Sequence, residues 1–587
     1  MARSLVALAV VLAALSTGAA RGASRPPVEA EHGVVVASER RAANVGADIL
    51  RQGGNAIDAA VAVGFAEAVT NPCCGNLGGG GFLVAYLAAT HRDVFIDFRE
   101  TAPGAATKTM YLDASGAPIE GASLDGWRAV AAPGTVLGLD AALEEYGAMS
   151  RAKVMAPAIA LARDGFVLSR ADADIFHAFA SRLKGDPEAA RIFLRQDGSP
   201  LEPGDRLVQS DLAATLQAIA DQGPDAFYRG AIALRIDAAM RANSGILTAA
   251  DLAAYKIGEA PPLGCDYRGF RFVSPPPPSS GGATLCEILN VLEGYDLKGL
   301  GFHSAASVHL TVEAMRHAFM DRNAYLGDPA FVSNPLNRLL RKDYAARIRA
   351  AILPDKATPS QEIQPGAAPH EKSETTHFSV IDRDGDAVAV TTTVNGGFGA
   401  GVIAPGTGFF LNDEMDDFTV KSGVANLFGL VQGEANAIAP GKRPLSSMAP
   451  TLVEKDGRVV LALGSPGGSR IITTVLETAL NLIDYGMGPQ EAVDAPRFHH
   501  QWLPDVVFAE PYAFSPDTQK LLQEMGYKIV VQAPWGAAEV AATAGAAPSG
   551  AGPAAGVPDS LFGGGMRSGY LYGANDDRRP AGAAVGE

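Results

Sequence analysis

The sequence predicts a mixed α/β (α+β) fold, and three patterns along the chain support this class. In residues 33–68, an apolar strand precedes two helices that a Gly-Gly turn separates. Residues 134–255 contain several segments with apolar residues at helical spacing, which predict a helix-rich middle region. In residues 372–395, two alternating apolar runs flank the turn Asp384-Gly385, and this pattern is typical of a β-hairpin.

The composition is that of an acidic globular protein. The chain has 587 residues, of which 47% are apolar and 19% are charged, and its formal net charge is −16. This apolar fraction allows a sizeable core, either in several domains or in one large α/β unit with insertions. Binding of nucleic-acid phosphates needs clustered Lys and Arg, and the sequence has no long basic run, so we expect no nucleic-acid partner.

The N-terminus has the layout of a secretory signal peptide. Arg3 precedes an apolar run from Leu5 to Leu15, and small residues follow as far as Ala23. A transmembrane helix needs about 20 apolar residues, so this run is too short to span a bilayer comfortably. We therefore expect residues 1–23 to be removed and the protein to be exported, periplasmic or secreted, without stable membrane insertion. An uncleaved anchor is the alternative.

The four cysteines are too few to form a disulfide framework in a chain of this length. A bond between the adjacent residues Cys73 and Cys74 would be strained, so these two are predicted to be small buried residues. Cys265 and Cys286 could pair, and the sequence leaves that question open.

Two motifs that could indicate a ligand favour a structural role instead. The run GNLGGGGF at 75–82 could cradle a phosphate, but no Lys-Ser/Thr follows it, so close backbone packing is favoured. His499 and His500 have no carboxylate or cysteine partner at ligand spacing, so packing or hydrogen bonding is favoured over metal binding. No metal site is predicted.

Two segments are predicted to lie outside the packed core. Residues 355–374 are polar, contain proline and lack periodicity, which predicts an exposed connection that ends just before Thr375. The small-residue tract near the C-terminus predicts a disordered insertion over residues 537–566.

The position of Thr375, directly after the predicted connection, suggests a nucleophile that the chain exposes by cutting itself. A threonine hydroxyl needs a base, and an N-terminal threonine can use its own α-amine. A free α-amine has a pKa of about 7.7–8.0, so a useful fraction is unprotonated near neutral pH. An internal threonine has only an amide nitrogen, so the bond between Glu374 and Thr375 must first be broken. Ordinary strand propensity of Thr is the simpler alternative.

Several motifs in one order resemble those of γ-glutamyltranspeptidase, an N-terminal-nucleophile hydrolase. They are NLGGGGF, DFRETAP, PPPPSSGG, TTHFSVIDRDGDAVAVTTTVN, LNDEMDDF, KRPLSSMAPT, GSPGGSRIITTVLE and APRFHHQWLPD. The resemblance implies an αββα sandwich with helix-rich additions. It also implies a precursor that cuts itself before Thr375 into a large subunit, 24–374, and a small catalytic subunit, 375–587, which stay associated as a heterodimer.

The resemblance also implies roles for three residues beside the nucleophile. Thr393 would hydrogen-bond Thr375 and assist maturation, although Thr391 and Thr393 could simply be threonines on one strand face. Gly467 and Gly468 would form the oxyanion hole. Their position just before the amphipathic segment IITTVLETALNLI suits this role, because N–H groups at a helix N-terminus lie at its positive end. From the local pattern alone, a simple turn into the helix is favoured.

Six further residues would bind the two charges of an amino acid. By the resemblance, the substrate α-carboxylate would contact Arg99, Ser446 and Ser447, and a guanidinium can pair with a carboxylate through two hydrogen bonds. The α-ammonium would contact Asn395, Glu414 and Asp417. Any one of these charged residues could instead be an ordinary surface charge.

The chain departs from bacterial relatives at two positions of the site. Many of them carry Gln where this chain has Glu414, and both side chains can accept a hydrogen bond from an ammonium. Phe428 stands where several carry a lid tyrosine, and the missing hydroxyl removes a gate hydrogen bond.

Taken together, these features predict an autoprocessing γ-glutamyltransferase and glutathione hydrolase. Its Thr nucleophile would form a γ-glutamyl ester and transfer the acyl group to water, an amino acid or a dipeptide, without a metal or organic cofactor. The alternatives are a related glutaryl-type cephalosporin acylase, which should not need Asp417, and a non-catalytic exported homologue, which should lack Thr375 or the glycine pair.

Overall fold

The computed structural model describes residues 24–360, 373–544 and 561–587. The predicted signal peptide, residues 361–372 of the predicted connection and residues 545–560 of the predicted insertion lie outside the described residues.

Two antiparallel sheets of seven and six strands form the centre of the described chain. In chain order their strands are β1 (Val28–Ala30), β2 (Gly33–Ala37), β3 (Gly80–Leu87), β4 (Arg92–Phe98), β5 (Leu263–Tyr267), β6 (Phe270–Ser274), β7 (Ser373–Asp382), β8 (Ala387–Gly396), β9 (Thr451–Lys455), β10 (Arg458–Gly464), β11 (Glu539–Thr543), β12 (Leu571–Asn575) and β13 (Ala583–Gly586). The seven-stranded sheet has the order β1-β12-β11-β10-β9-β6-β5, and the six-stranded sheet has the order β13-β2-β7-β8-β3-β4. Short strands also pair at Phe166–Val167 with Arg206–Leu207, and at Val507–Ala509 with Phe498–His499 and Ile529–Val531.

Helices surround the two sheets. Those that the structure describes are α1 (Arg40–Arg51), α2 (Ala56–Thr70), α3 (Thr135–Tyr146), α4 (Arg151–Asp164), α5 (Arg170–Ala178), α6 (Ala180–Lys184), α7 (Pro187–Phe193), α8 (Ser210–Gln222), α9 (Asp225–Tyr228), α10 (Ala231–Ala242), α11 (Ala249–Ala254), α12 (Gly281–Leu292), α13 (Leu297–Leu300), α14 (Ala305–Tyr325), α15 (Leu336–Leu339), α16 (Lys342–Ala351), α17 (Arg470–Ile483), α18 (Pro489–Asp494) and α19 (Pro516–Glu524). The region 134–255 is helical as predicted.

The two sheets pack face to face, and helices cover their outer faces. Strands β10 and β11 contact β7, while α1 and α2 pack on the six-stranded sheet and α12 and α17 pack on the seven-stranded sheet. Helix α2 is buried along its whole length because it lies between the six-stranded sheet and helices α3 and α4. The predicted αββα sandwich with helix-rich additions is confirmed.

Strand β2 shows why its sequence is continuously apolar. Val34 and Val36 pack with the core between the two sheets, whereas Val35 packs with the core that includes α1 and α2. A strand that is buried on both faces needs apolar residues at every position rather than at alternate ones.

The hairpin of β7 and β8 lies in the middle of the six-stranded sheet, as the order of strands requires. The carboxylate Oδ1 of Asp382 accepts hydrogen bonds from the N–H groups of Asp384 and Asp386, each at 3.0 Å. Gly385 has a φ of +87°, which favours glycine at this turn position. The predicted hairpin is confirmed.

The prediction of a disordered insertion over 537–566 is wrong for residues 539–543. These residues form strand β11, which pairs with both β10 and β12. Small residues fill this strand because it is buried in the middle of the seven-stranded sheet, and the same composition suggested low complexity in the sequence.

The four cysteines form two disulfide bonds. The Cys265–Cys286 disulfide joins β5 to α12, which settles the open question. The prediction that Cys73 and Cys74 are unbonded is wrong, because the structure has a disulfide between them. Both are buried, as expected, and they lie in a turn where the N–H groups of Cys74 and Gly75 donate to the Asn71 carbonyl oxygen.

Candidate active site

Thr375 and Thr393 face each other across the hairpin. They are paired directly in the register of β7 and β8, and their hydroxyl oxygens lie 3.2 Å apart. Both side chains are buried, and residues 375 and 377 share one strand face, where His377 packs against Gly464 at the end of β10. The hydroxyl pair is therefore located between the two sheets.

Two ionisable side chains that the sequence did not indicate, Arg579 and Glu67, contact Thr375 and Thr376. The Nη1 of Arg579 donates to the Thr375 carbonyl oxygen at 3.0 Å. The hydroxyl of Thr376 donates to Oε2 of Glu67 at 3.3 Å, and Asn71 donates to the same oxygen at 2.8 Å. Burial, followed by the nearby Glu39 carboxylate, raises the pKa of Glu67 to about 8. A neutral carboxylic acid therefore lies behind the Thr375–Thr376 pair at neutral pH.

The glycine run lets β3 pass very close to β8. A Cβ on Gly79 would lie 1.9 Å from the Thr393 carbonyl oxygen, and one on Gly81 would lie 2.3 Å from the Thr391 carbonyl oxygen. Asn76 fixes the approach, because its Nδ2 donates to the Thr393 carbonyl oxygen at 3.1 Å and its Oδ1 accepts from the Gly79 N–H at 2.9 Å. Close backbone packing, the favoured interpretation of this motif, is confirmed.

Gly467 and Gly468 connect β10 to α17, as the sequence predicted. Their φ angles are +133° and +54°, both in the left-handed region. Neither amide N–H has an acceptor among the described residues, so both are available to bind an anion. The ring of Phe428 lies directly against Gly468, since a Cβ there would be 2.4 Å from the Cδ1 of Phe428. The residue at the lid position therefore borders the glycine pair.

Arg99, Glu414 and Asp417 contact one another in a buried ion cluster. The Arg99 Nη1 lies 2.7 Å from the Glu414 Oε2, in a geometry that is an ion pair rather than a hydrogen bond. The Arg99 Nη2 donates to Asp417, and Glu100 lies 3.3 Å from Nη1. The Arg99 Nε donates to the Pro444 carbonyl oxygen at 3.2 Å. The predicted carboxylate-binding arginine and two predicted ammonium-binding acids thus occupy a single site.

Burial and the neighbouring charges shift the pKa of every ionisable group in this cluster. Burial alone would lower the pKa of Arg99, but Glu414, Glu100 and Asp417 together raise it, so the guanidinium stays charged. Burial raises the pKa of Glu414 well above its ordinary value and outweighs the attraction of Arg99. It also raises the pKa of Asp417, and that of Glu100 to about 7. The three carboxyl groups share the Arg99 guanidinium at ion-pair distance, and both carboxyl oxygens of Glu414 lack a hydrogen-bond partner among the described residues, so the cluster can accept hydrogen bonds from an ammonium group.

Asn395 joins the threonine pair to the ion cluster. Its N–H donates to the Thr393 hydroxyl oxygen at 2.8 Å, and its Nδ2 donates to the Asp413 carbonyl oxygen at 3.1 Å. The φ of Asn395 is +75°, a conformation that Asn tolerates better than most residues. Asp413 directly precedes Glu414 and also accepts from the Gly396 N–H at 2.8 Å. Thr375, Thr393 and Asn395, which are all predicted site residues, are thereby linked by direct hydrogen bonds.

Ser446 and Ser447 follow Pro444, whose carbonyl oxygen accepts the hydrogen bond from Arg99. The Ser446 carbonyl oxygen accepts from the Ser280 hydroxyl at 2.6 Å, and the Ser446 N–H donates to the Pro278 carbonyl oxygen at 2.8 Å. The Ser447 hydroxyl oxygen accepts from Nη2 of Arg322 at 3.0 Å. Both serines are buried, and the Pro- and Ser-rich turn before α12 holds the backbone of Ser446.

The histidine pair has hydrogen-bond partners, as predicted. His499 contacts the Thr473 hydroxyl at 2.9 Å and Gln501 at 2.8 Å, and His500 lies 3.3 Å from Asp505. Within residues 24–360, 373–544 and 561–587, no group of three or more His, Cys, Asp or Glu side chains could hold a metal ion.

Five residues of this region were not predicted from the sequence. Asn76 stands inside NLGGGGF and Asp413 inside LNDEMDDF, so the motifs themselves could have pointed to them. Arg579, Glu67 and Arg322 have no local signal, because their partners lie far away along the chain.

Comparison with known proteins decides the family of this chain. The model of the family described as gamma-glutamyltranspeptidase matches residues 42–582. The chain belongs to the gamma-glutamyltranspeptidase family.

Two relatives in this family are similar over most of their length. A glutathione hydrolase proenzyme of Pseudomonas sp. (strain A14) is 54% identical over 584 residues, which cover 100% of this chain and 99% of the relative. A glutathione hydrolase proenzyme of Escherichia coli (strain K12) is 50% identical over 514 residues, which cover 87% of this chain and 88% of the relative.

A solved structure supports the fold assignment for this gamma-glutamyltranspeptidase family member. The crystal structure of a cephalosporin acylase from Bacillus halodurans is similar with a TM-score of 0.80 and 26% sequence identity, and the match covers 97% of this chain and 98% of that one. The αββα architecture is thus shared with an acylase, so the activity has to be argued from the site.

Among the described residues, no helix is long and apolar enough to cross a membrane.

Proposed function

We propose that this protein is an autoprocessing γ-glutamyltransferase and glutathione hydrolase. The observation that carries the proposal is the hydroxyl pair of Thr375 and Thr393, 3.2 Å apart, in a chain that belongs to the gamma-glutamyltranspeptidase family. The proposal also rests on relatives that are named glutathione hydrolase proenzymes.

The first step is the cut between Glu374 and Thr375. The Thr375 hydroxyl oxygen attacks the Glu374 carbonyl carbon, the peptide C–N bond breaks, and the nitrogen takes up a proton as the new α-amine. Water then hydrolyses the resulting ester. Thr393 supports this step because its hydroxyl lies beside that of Thr375 and accepts from the Asn395 N–H.

The released α-amine then serves as the base in the catalytic cycle. It takes the proton of the Thr375 hydroxyl as the oxygen attacks the γ-carbonyl of the substrate, and it returns the proton to the leaving amine. The amide N–H groups of Gly467 and Gly468 would stabilise the developing oxyanion. Water, an amino acid or a dipeptide then attacks the γ-glutamyl ester and frees the enzyme. The scheme uses no metal or organic cofactor.

The ion cluster gives the substrate preference a physical basis. A γ-glutamyl group carries an α-carboxylate and an α-ammonium on one carbon atom. The carboxylate would bind Arg99, Ser446 and Ser447, and the ammonium would bind Asn395, Glu414 and Asp417. In the free site Arg99 pairs with Glu414 and Asp417. The ammonium would therefore replace Arg99 as a partner of the acids while the carboxylate takes its place on the guanidinium.

The strand order supports lasting association of a large subunit, 24–374, and a small subunit, 375–587. Strand β8 and the part of β7 from Thr375 onward would belong to the small subunit, yet they lie between β2 and β3 of the large subunit. The seven-stranded sheet would also contain strands of both subunits, because β1, β5 and β6 precede residue 375 and the other four strands follow it. Separation of the subunits would break both sheets, so we propose a stable heterodimer. The N-terminal sequence supports its export to the periplasm or the medium.

A glutaryl-type acylase is the nearest rival. A glutaryl group has no α-ammonium, so it gives no favourable partner to the buried acids Glu414 and Asp417. Comparison of the kcat/KM values for γ-glutamyl-p-nitroanilide and glutaryl-p-nitroanilide tests the proposal. We expect a preference for the γ-glutamyl compound of at least about 100-fold, since an unpaired buried charge costs several kcal/mol. Equal or reversed preference would favour the acylase. The third possibility, a non-catalytic homologue, predicts no turnover of either anilide.

A further inference from the structure

Arg322 is a buried guanidinium that has only neutral partners. It lies near the C-terminal end of α14 with 1% of its surface exposed. Its Nε donates to the Ser280 hydroxyl at 2.8 Å, its Nη1 donates to the side-chain oxygens of Asn323 and Gln432 at 2.8 and 3.2 Å, and its Nη2 donates to the Ser447 hydroxyl at 3.0 Å.

Such an arrangement is costly unless an anion can approach. Arginine side chains are rarely buried without a carboxylate or phosphate partner. None of the ion pairs among the described residues includes Arg322. Burial lowers the pKa of Arg322 to about 10, and Asp417 offsets only part of this effect. Among the described residues, Asp417 is thus the acid that acts on the charge of Arg322, and it does so from beyond ion-pair distance.

The contact with Ser447 sets the direction of that hydroxyl group. Because the Ser447 oxygen accepts a hydrogen bond from Arg322, its own proton is free to be donated elsewhere. The neighbouring contact through Ser280 fixes Ser446, since the Ser280 hydroxyl receives from Arg322 and donates to the Ser446 carbonyl oxygen. One side chain therefore holds both serines that are proposed to bind the substrate carboxylate.

The contact between Arg322 and Gln432 leads to Asp417, one of the residues proposed to bind the substrate ammonium. The Nε2 of Gln432 donates to the Asp417 carbonyl oxygen at 3.1 Å. Asn436 also donates to the Gln432 Oε1 and to the Asp417 carbonyl oxygen, at 3.2 and 2.6 Å. Arg322 thus connects the serines to the segment that carries Asp417.

We propose that Arg322 is a positioning residue for the α-carboxylate of the substrate: it orients the Ser447 hydroxyl as a donor and supplies a second positive charge behind the two serines. The inference rests on the proposed γ-glutamyl specificity and deepens it. Residue 322 precedes the proposed cut and residues 432 and 447 follow it, so the large subunit would help to shape a pocket formed mainly by the small one.

The test uses two substrates that differ only in the α-carboxylate. These are γ-glutamyl-p-nitroanilide and 4-aminobutyryl-p-nitroanilide, which keeps the amine and lacks the carboxylate. For Arg322→Met, we expect the KM for the first substrate to rise about 10- to 100-fold, because a hydrogen-bonded charged group is lost. The kcat should change by less than about 3-fold, since no contact to the reacting atoms is lost. The KM for the second substrate should change little.

Two further variants separate positioning from general damage. Arg322→Lys keeps the charge and should recover part of the low KM, and it also serves if Arg322→Met does not fold. Arg316→Met is the matched control, because Arg316 is buried on the same helix and pairs with Glu313 and Asp505. We expect it to lower the thermal unfolding midpoint without a selective effect on either KM.

The outcomes distinguish this inference from the proposed function. A KM increase of equal size on both substrates, or an unchanged KM in both Arg322 variants, would overturn the positioning role while the proposed function stands. A wild-type enzyme that does not turn over the γ-glutamyl anilide would refute the proposed function itself.

Discussion

The substitution Gly468→Ala tests the proposed oxyanion hole most sharply, because the structure gives two separate reasons for a glycine there. The φ of Gly468 is +54°, and a residue with a Cβ pays roughly 1–2 kcal/mol for this conformation. The added Cβ would also lie 2.4 Å from the Cδ1 of Phe428, so the ring must move. Overpacking of this kind typically costs about 1–3 kcal/mol. Together these effects predict that the substitution destabilises the native conformation of this loop by about 2–5 kcal/mol.

The catalytic consequence follows from the N–H groups that this loop presents. Displacement of one oxyanion donor lowers kcat by about 100- to 1,000-fold in acyl-transfer enzymes. We therefore expect the processed variant to hydrolyse γ-glutamyl-p-nitroanilide with a kcat reduced by that factor and a KM within about 3-fold of the wild-type value. The assay is steady-state release of p-nitroaniline, alongside the fraction of cleaved chain on a denaturing gel.

Two companion variants separate the effect of backbone strain from that of the steric conflict with Phe428. In Gly468→Ala with Phe428→Ala, the steric conflict is removed, and we expect at least about a 10-fold recovery of kcat. A Cβ on Gly467 would have no neighbour closer than 3.6 Å, but the φ there is +133°, a region almost restricted to glycine. Gly467→Ala should therefore lose activity that Phe428→Ala does not restore. A Gly468→Ala enzyme with wild-type kcat would refute the oxyanion assignment.

Two further predictions concern the buried carboxyl groups. Asp417→Ala should raise the KM for γ-glutamyl-p-nitroanilide about 10- to 100-fold, because the substrate ammonium loses a hydrogen-bonded partner, and an unchanged KM would contradict the assigned role. Glu67 has its folded pKa raised to about 8, so the stabilisation from its neutral form is complete below the unfolded pKa of 4.5 and is lost as the pH rises through about 8. Glu67→Gln stays neutral, so its thermal unfolding midpoint should exceed that of the wild type at about pH 8 and match it near pH 4. Between these pH values, the free energy of unfolding of the variant should increase relative to the wild type by at most about 1.4 kcal/mol per pH unit. The same pH dependence in both proteins would show that Glu67 is not neutral in the folded state.

Features with a local signal were predictable from the sequence. The hairpin around Asp384 and Gly385 and the glycine pair before α17 depend on neighbouring residues, and the structure has both. The glycines of the run 75–82 indicated close backbone packing, but the sequence did not indicate that β8 is the strand they pack against. The αββα fold came from the resemblance of many motifs rather than from any single pattern.

Features that depend on distant contacts were not predictable. Arg322 contacts Ser447 across 125 positions of the chain, Arg579 contacts Thr375 across 204, and Glu67 contacts Thr376 across 309. The pairing of Arg99 with Asp417 spans 318 positions, so the sequence indicated both residues but not their direct contact. Strand β11 was missed for a different reason, because an Ala-rich strand in the middle of a sheet has the composition of a low-complexity segment.

The central claim is that Thr375 becomes a free N-terminus. Intact-mass spectrometry of the purified active protein, beside Thr375→Ala, tests it most directly. We predict two polypeptides for the wild type, the smaller one beginning at Thr375, and a single uncut chain without activity for the variant. A fully active wild-type protein in which residues 374 and 375 remain joined would contradict the account.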